Sequence, residues 1–141
     1  MIIRDVDYAK SKKALELQHT EIWSHGNVDL IASVYTEEYV GHFPAGETVE
    51  GHEGIRKCVE AHRISFPDWN EKILEIIVEG DRAATRYLSR GTHDGEFIGI
   101  AATGNEIVIL EASIYRLVDG RIAEQWAFPD MASLQQQLSL P

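Results

Sequence analysis

The stretch that most constrains this chain is residues 106–128, two apolar runs joined by Val118-Asp119-Gly120. Asp-Gly between alternating apolar runs is a strong short-range signal for a β-hairpin. In the first run, one parity carries Ile107, Ile109, Glu111, Ser113, Tyr115 and Leu117. The other carries Val108, Leu110, Ala112, Ile114 and Arg116. Successive side chains of a strand point to opposite faces, so both faces of this strand are largely apolar and both need cover. Glu111, Ser113 and Tyr115 on one face are out of place in a plain core, and that face reads as the wall of a ligand pocket. The opposite row is too apolar to face water, which predicts a homodimer through the outer face of the sheet.

The rest of the chain supplies what such a hairpin packs against. Residues 8–25 read as a helix, with Tyr8, Leu15, His19, Ile22 and Trp23 on one stripe and Gly26 as its stop. Asn27 can cap a second helix over 28–35, and 37–43 reads as a short strand. Residues 51–65 form a third helix with Ile55, Val59, His62 and Phe66 on one face, ended by Pro67. Strands follow at 71–78, 82–93, 106–118 and 121–128, with a short tail helix from Asp130 to Leu138. Helices first and strands consecutively afterwards imply an α+β fold. The expectation is a strongly curved, mostly antiparallel sheet covered on one face by three N-terminal helices, leaving a cone-shaped cavity at one end. A chain of 141 residues makes one domain, 1–141.

Composition removes several classes of function. A net charge of −10 argues against nucleic-acid binding, which rests on basic patches. No apolar run approaches the ~18 residues of a membrane span. The start, Met1-Ile2-Ile3-Arg4-Asp5, lacks a signal peptide's apolar core, so a cytoplasmic location is expected. The single Cys58 allows no internal disulfide, and its place in mid-helix suits a packed thiol rather than a nucleophile. His42, His52 and His62 lack the flanking cysteines or carboxylates of a zinc site, so no metal is expected. Neither a glycine-rich phosphate loop nor a Gly-x-Ser-x-Gly elbow occurs.

Among candidate chemical groups, Glu111 stands first. A carboxylate between Ile109 and Ser113 on an apolar strand has its charged form disfavoured, which raises its pKa toward the range useful for acid/base work. The competing reading pairs it with Arg86 or Arg116. His93, in Arg90-Gly91-Thr92-His93, either relays protons at the pocket mouth or bonds a backbone carbonyl in the glycine-rich turn. His42, before Phe43-Pro44, is either a pocket group or a loop histidine. Arg86, in mid-strand, either anchors a substrate oxyanion or pairs with a carboxylate such as Glu124. Trp23 lies either beside the pocket or in the core.

An ordered set of short motifs runs through the chain: Gly26-Asn27-Val28-Asp29, Tyr39-Val40-Gly41-His42-Phe43-Pro44, Gly51-His52-Glu53-Gly54-Ile55-Arg56, Phe66-Pro67-Asp68, Gly80-Asp81-Arg82, Arg90-Gly91-Thr92-His93-Asp94-Gly95-Glu96-Phe97, Thr103-Gly104, and the run from Arg116 to Trp126. Together they resemble the SnoaL-like polyketide cyclases, within the nuclear-transport-factor-2-like superfamily of α+β cones. The resemblance covers nearly the whole chain and implies an intramolecular aldol condensation without metal or cofactor. It also implies an acid/base aspartate just after the tryptophan of the last strand, where this chain has Ala127. The family's pocket glutamine and histidine fall on Glu111 and Ser113, and a second histidine on Gln125. The chain is thus expected to act by proton transfer on a small apolar carbonyl compound. Glu111 would be the base, His93 and Gln125 would polarise or orient the substrate, and His42, Trp23, Arg86, Ser113, Tyr115 and Ala127 would line the pocket. The alternative is a binding domain that kept the pocket and lost the chemistry with the aspartate.

Overall fold

The computed structural model describes residues 2–44 and 48–141. The chain opens with a long helical rod, α1 (Ile2–Leu17), which widens into a π-helical segment, Gln18–Trp23. Ser11, Ala14, Leu15, Gln18, His19, Ile22 and Trp23 are all buried along it. Their spacing is that of one helix face. The π-helical turn is held by the Ser24 hydroxyl, which donates to the His19 carbonyl at 2.6 Å. Gly26, at φ +69°, ends the rod as expected.

The helix expected over 28–35 is shorter than the sequence suggests. It is a 3-10 turn (Val28–Leu30) followed by one turn of α2 (Ile31–Val34), and Tyr35 already begins β1 (Tyr35–His42). A three-residue strand too short to show a period in the sequence, β2 (Thr48–Glu50), leads into α3 (Gly51–Ser65). Then come β3 (Asn70–Glu79), β4 (Arg82–Thr92), β5 (Glu106–Val118), β6 (Arg121–Pro129) and α4 (Met131–Leu138). The six strands form one sheet in the order β2-β1-β6-β5-β4-β3. All neighbours are antiparallel except β1 and β6, which run parallel. The parallel pair was not legible from the sequence, because β1 inserts beside a strand some eighty residues further along the chain.

The Asp119-Gly120 turn is confirmed: both residues have positive φ, +51° and +75°, and Val118 pairs with Arg121 across it. That is the backbone twist a two-residue hairpin requires. Register shifts interrupt the β1–β6, β3–β4 and β5–β6 ladders. Extra residues of this kind bend the bulged strand and increase local twist, which curls the sheet. The core fills the space between the helices and one face of the sheet, where Leu15, Ile22, Ile55, Val59, Ile107, Ile109 and Tyr115 meet. On the other face Leu110, Ile114 and Phe128 remain about half exposed.

Near its start β5 has lost β6 as a partner, and α4 takes over that edge. The Gln137 amide donates to the Val108 carbonyl at 2.9 Å and accepts from the Val108 amide at 2.8 Å. Asp130 caps α4 by accepting from the Ser133 amide at 3.0 Å, as its position predicted. Among the described residues no helix is long and apolar enough to cross a membrane.

Candidate active site

A cavity of about 260 Å³ opens at one end of the curved sheet. The π-helical segment gives it Gln18, His19 and Trp23, and α3 gives Cys58 and His62. Trp69, Glu71, Tyr87, Ile109, Glu111, Gln125 and Ala127 come from the sheet and its approach. Phe43, Phe97, Met131 and Leu134 complete an apolar rim. A larger cleft of about 660 Å³ lies where α1 meets the β3–β4 and β5–β6 turns. Its walls carry Asp7, Glu79, Asp81 and Asp119. Ligand sites for small molecules are mostly apolar with a few converging polar groups, and the smaller cavity has that character.

Glu111 faces this cavity from β5, opposite Tyr87 of β4 and Pro129 of β6. It pairs with neither Arg86 nor Arg116; the Ser89 hydroxyl donates to its Oε2. Burial lifts its pKa from the ordinary 4.5 to about 8, the nearby Glu71 carboxylate adds to the rise, and the Ser89 hydrogen bond opposes it. Accessible from the cavity yet shielded from bulk water, this carboxyl is mostly protonated at neutral pH.

Two hydrogen-bonded chains flank it. In the first, His19 donates from Nδ1 to Glu71 Oε1 at 2.7 Å, and Trp69 Nε1 donates to Glu71 Oε2 at 2.9 Å. His19 Nε2 meets the Thr85 hydroxyl at 2.9 Å, which meets the Tyr115 hydroxyl at 2.9 Å. The Gln18 amide donates to Tyr115 at 2.6 Å and accepts from the Tyr35 hydroxyl at 3.0 Å. One assignment of protons satisfies every link: Gln18 to Tyr115, Tyr115 to Thr85, and Thr85 to the unprotonated Nε2 of His19. In the second chain Tyr39 donates to Gln125 Oε1 at 2.9 Å, Gln125 donates to the Ser113 hydroxyl at 3.2 Å, and Ser113 meets Tyr87 at 3.0 Å. Burial holds the phenols of Tyr35, Tyr39, Tyr87 and Tyr115 well above their ordinary pKa, so they act as neutral hydrogen-bonding groups.

The candidates from the sequence separate by strand parity. Glu111, Gln125, Ala127 and Trp23 line the cavity, while Ser113 and Tyr115 lie behind it in the two chains. His42 sits on the opposite face, where it bonds Glu124 at 2.7 Å and stacks on Trp126. Arg86 is exposed on that same outer face and pairs with Glu75 at 3.0 Å, not with Glu124. The reason is the pleat: Glu75, Arg86 and Ala112 share a cross-strand row whose side chains point away from Glu111. His93 is enclosed at the end of β4, tilted against Phe66, and its Nδ1 accepts from the Thr103 amide at 3.2 Å. It therefore shapes the turn and does not reach the cavity wall.

His19, Glu71, Tyr87 and Ser89 were missed. The signal was present in β4, where Thr85, Tyr87 and Ser89 form the same kind of polar row on an apolar strand that singled out Glu111. Glu71 carried no such signal, because its histidine partner comes from a helix fifty residues away. Among the described residues no three His, Cys, Asp or Glu side chains are placed to share a metal ion.

Comparison with known proteins agrees with this architecture. Residues 13–138 match the family model of SnoaL-like polyketide cyclases. The aklanonic acid methyl ester cyclase DauD of Streptomyces sp. (strain C5) is 26% identical over 126 residues, covering 86% of this chain and 77% of that protein. A SnoaL-like protein from Jannaschia sp. CCS1 superposes with a TM-score of 0.86 at 22% identity, over 94% of both chains. TsrD from Streptomyces laurentii superposes with a TM-score of 0.84 at 26% identity, over 93% of this chain and 96% of its own.

Proposed function

The chain belongs to the SnoaL-like polyketide cyclase family, and from that premise we propose that it catalyses cofactor-independent proton transfer on a small apolar carbonyl compound, with Glu111 as the acid/base group. The observation that carries the reading is the placement of Glu111. It is a carboxyl in an apolar cavity with a pKa raised to about 8, inside the range where a group can both take and return a proton. Its likeness to an aklanonic acid methyl ester cyclase supports a carbonyl substrate that closes a ring. In such a condensation the base removes a proton from the carbon next to one carbonyl. The new carbon–carbon bond forms at a second carbonyl, whose oxygen then takes the proton.

Ala127, where the cyclases carry their aspartate, supplies only a methyl to the cavity wall. Its cross-strand partner is Ser113, and the next inward pair along the same ladder is Glu111 with Pro129. In this reading Glu111 brings a carboxyl to the space that an acid at position 127 would serve. Gln125, oriented by Tyr39 and Ser113, is the neighbouring amide that positions the substrate. The cavity's volume lies just below the ~300–1,000 Å³ of drug-sized pockets, which favours a compact substrate. A second copy of the chain is proposed to cover the outer sheet face at Leu110, Ile114 and Phe128.

The test is proton exchange at carbon. Aromatic β-keto esters, aklanonic acid methyl ester among them, are incubated with the protein in deuterated buffer and followed by NMR. Deuterium entry or ring closure that falls by about 10²–10⁴ in Glu111→Gln supports the proposal. Ligands that bind without exchange or turnover would make the chain a binding protein instead.

A further inference from the structure

The same cavity contains a histidine that the acid/base reading does not use. His62 follows Ile55 and Val59 on the inward stripe of α3 and lines the cavity. Four aromatic rings surround its imidazole. Trp69 stands at 4.2 Å and 88°, Trp23 at 5.6 Å and 82°, and Phe97 at 5.7 Å and 81°, all nearly perpendicular to it. Phe66 lies tilted at 5.3 Å. Its Nε2 is enclosed and has no hydrogen-bond partner among the described residues. Of the two indole N–H groups at this spot, that of Trp69 is already given to Glu71 and that of Trp23 to the Tyr35 hydroxyl.

A phenylalanine would fill such a box equally well, so the polar ring calls for a reason. Burial lowers the His62 pKa to about 4, with the neighbouring Arg63 charge as the lesser cause. The imidazole is therefore neutral at physiological pH and offers one donor and one acceptor. Perpendicular π faces can receive a donor weakly, but nothing in the box gives a proton to a nitrogen lone pair. Native buried polar groups are nearly always satisfied, and an orphan in a ligand cavity points to the ligand as its partner. A hydroxyl, which both donates and accepts, fits whichever tautomer His62 adopts. The surrounding rings favour a flat aromatic system to carry it.

We infer that His62 is the specificity-determining residue of this cavity: a small turn of its ring presents the enclosed Nε2 to a hydroxyl on a flat aromatic ring that enters beside Trp23, Trp69 and Phe97. The inference rests on the acid/base reading only in taking this cavity as the substrate site, and it is tested by binding alone.

The probes are 2-naphthol and 2-methylnaphthalene, matched in shape and different in hydrogen bonding, measured by isothermal titration on the full chain. The wild type is expected to prefer 2-naphthol by about tenfold, the scale of one buried hydrogen bond. In His62→Phe the preference should fall to about twofold or less while 2-methylnaphthalene still binds. His62→Gln, which keeps a donor and an acceptor, should retain part of it. In ¹⁵N-histidine-labelled protein, 2-naphthol alone should shift the His62 Nε2 resonance. Equal binding of both probes by the wild type, failure of both to bind, or a preference that survives His62→Phe would overturn the inference. Glu111→Gln should leave the preference in place. If Glu111→Gln instead keeps full turnover while His62→Phe loses the preference, the acid/base assignment fails and this one stands.

Discussion

Raising the pKa of Glu111 from 4.5 to about 8 has a cost in stability that grows with pH, and its size can be worked out. The folded value lies above the unfolded one, so the advantage of the neutral carboxyl is fully present below about pH 4.5 and is lost as pH rises through about 8. Linkage between these two values gives a penalty of about 2 kcal/mol near pH 6 and about 5 kcal/mol near pH 9, a difference of about 3 kcal/mol. Cavity access lets water relax part of this, which brings the expected difference to about 1–2 kcal/mol. Glu111→Gln keeps the shape and removes the titration. Urea unfolding followed by tryptophan fluorescence, run on wild type and variant near pH 6 and pH 9, gives a double difference in which titrating groups other than the coupled Glu71 cancel. The variant should gain on the wild type by that amount at the higher pH. A double difference below ~0.5 kcal/mol would mean that Glu111 ionises like a surface carboxylate, and the argument for it as an acid/base group would fall with it.

Other consequences are open to direct measurement. Glu71→Gln should lower the Glu111 pKa, seen by carboxyl-carbon NMR titration, yet leave it above 4.5, because burial is the larger cause and the Glu71 charge the lesser. His42→Ala and Arg86→Ala should leave turnover within about twofold of wild type, since both side chains lie on the outer face of the sheet. Ile114→Glu should convert a dimer into a monomer by light scattering if a second copy covers that half-exposed row. Gly91→Ala would set a Cβ 2.9 Å from the Trp69 ring and 3.1 Å from Phe66, and should lower stability by about 1–3 kcal/mol in the same urea assay.

What could be read from the sequence was what depends on local period. The Asp119-Gly120 hairpin, the inward parity of Glu111 and the stripe through Leu15, His19 and Trp23 follow from spacings of two, three and four residues. Those spacings also give the α+β order. Three features lay beyond them. The parallel β1–β6 pair joins segments far apart in the chain. The placement of His42 depended on the register shift between Tyr35 and Val40 in the β1–β6 ladder, which no local spacing announces. The pairing of His19 with Glu71 needs a helix and a strand to meet in three dimensions. Arg86 differs from its expected place for a simpler reason: a mid-strand position does not by itself fix the face, and the pleat turns this side chain to solvent beside Glu75.

Two groups in the cavity wall, Glu111 and His62, stand apart from its hydrogen-bonded networks. The chain from Tyr35 through Gln18, Tyr115, Thr85 and His19 to Glu71 satisfies each of its members, and Trp69 closes it. Tyr39, Gln125, Ser113 and Tyr87 form a second connected set. Satisfied networks of this kind hold side chains in one arrangement, because breaking any link leaves a buried polar group unpaired. They build a rigid wall and are poorly suited to reach for a substrate. Glu111, with the Ser89 hydroxyl as its hydrogen-bond donor among the described residues, keeps acceptor capacity turned to the cavity. His62 keeps an uncommitted ring nitrogen in the same wall. One group titrates near the pH at which it would have to move a proton, while the other stays neutral throughout that range. On the proposed function that difference in environment divides the labour between them, with Glu111 assigned to exchange protons with the ligand and His62 to recognise it.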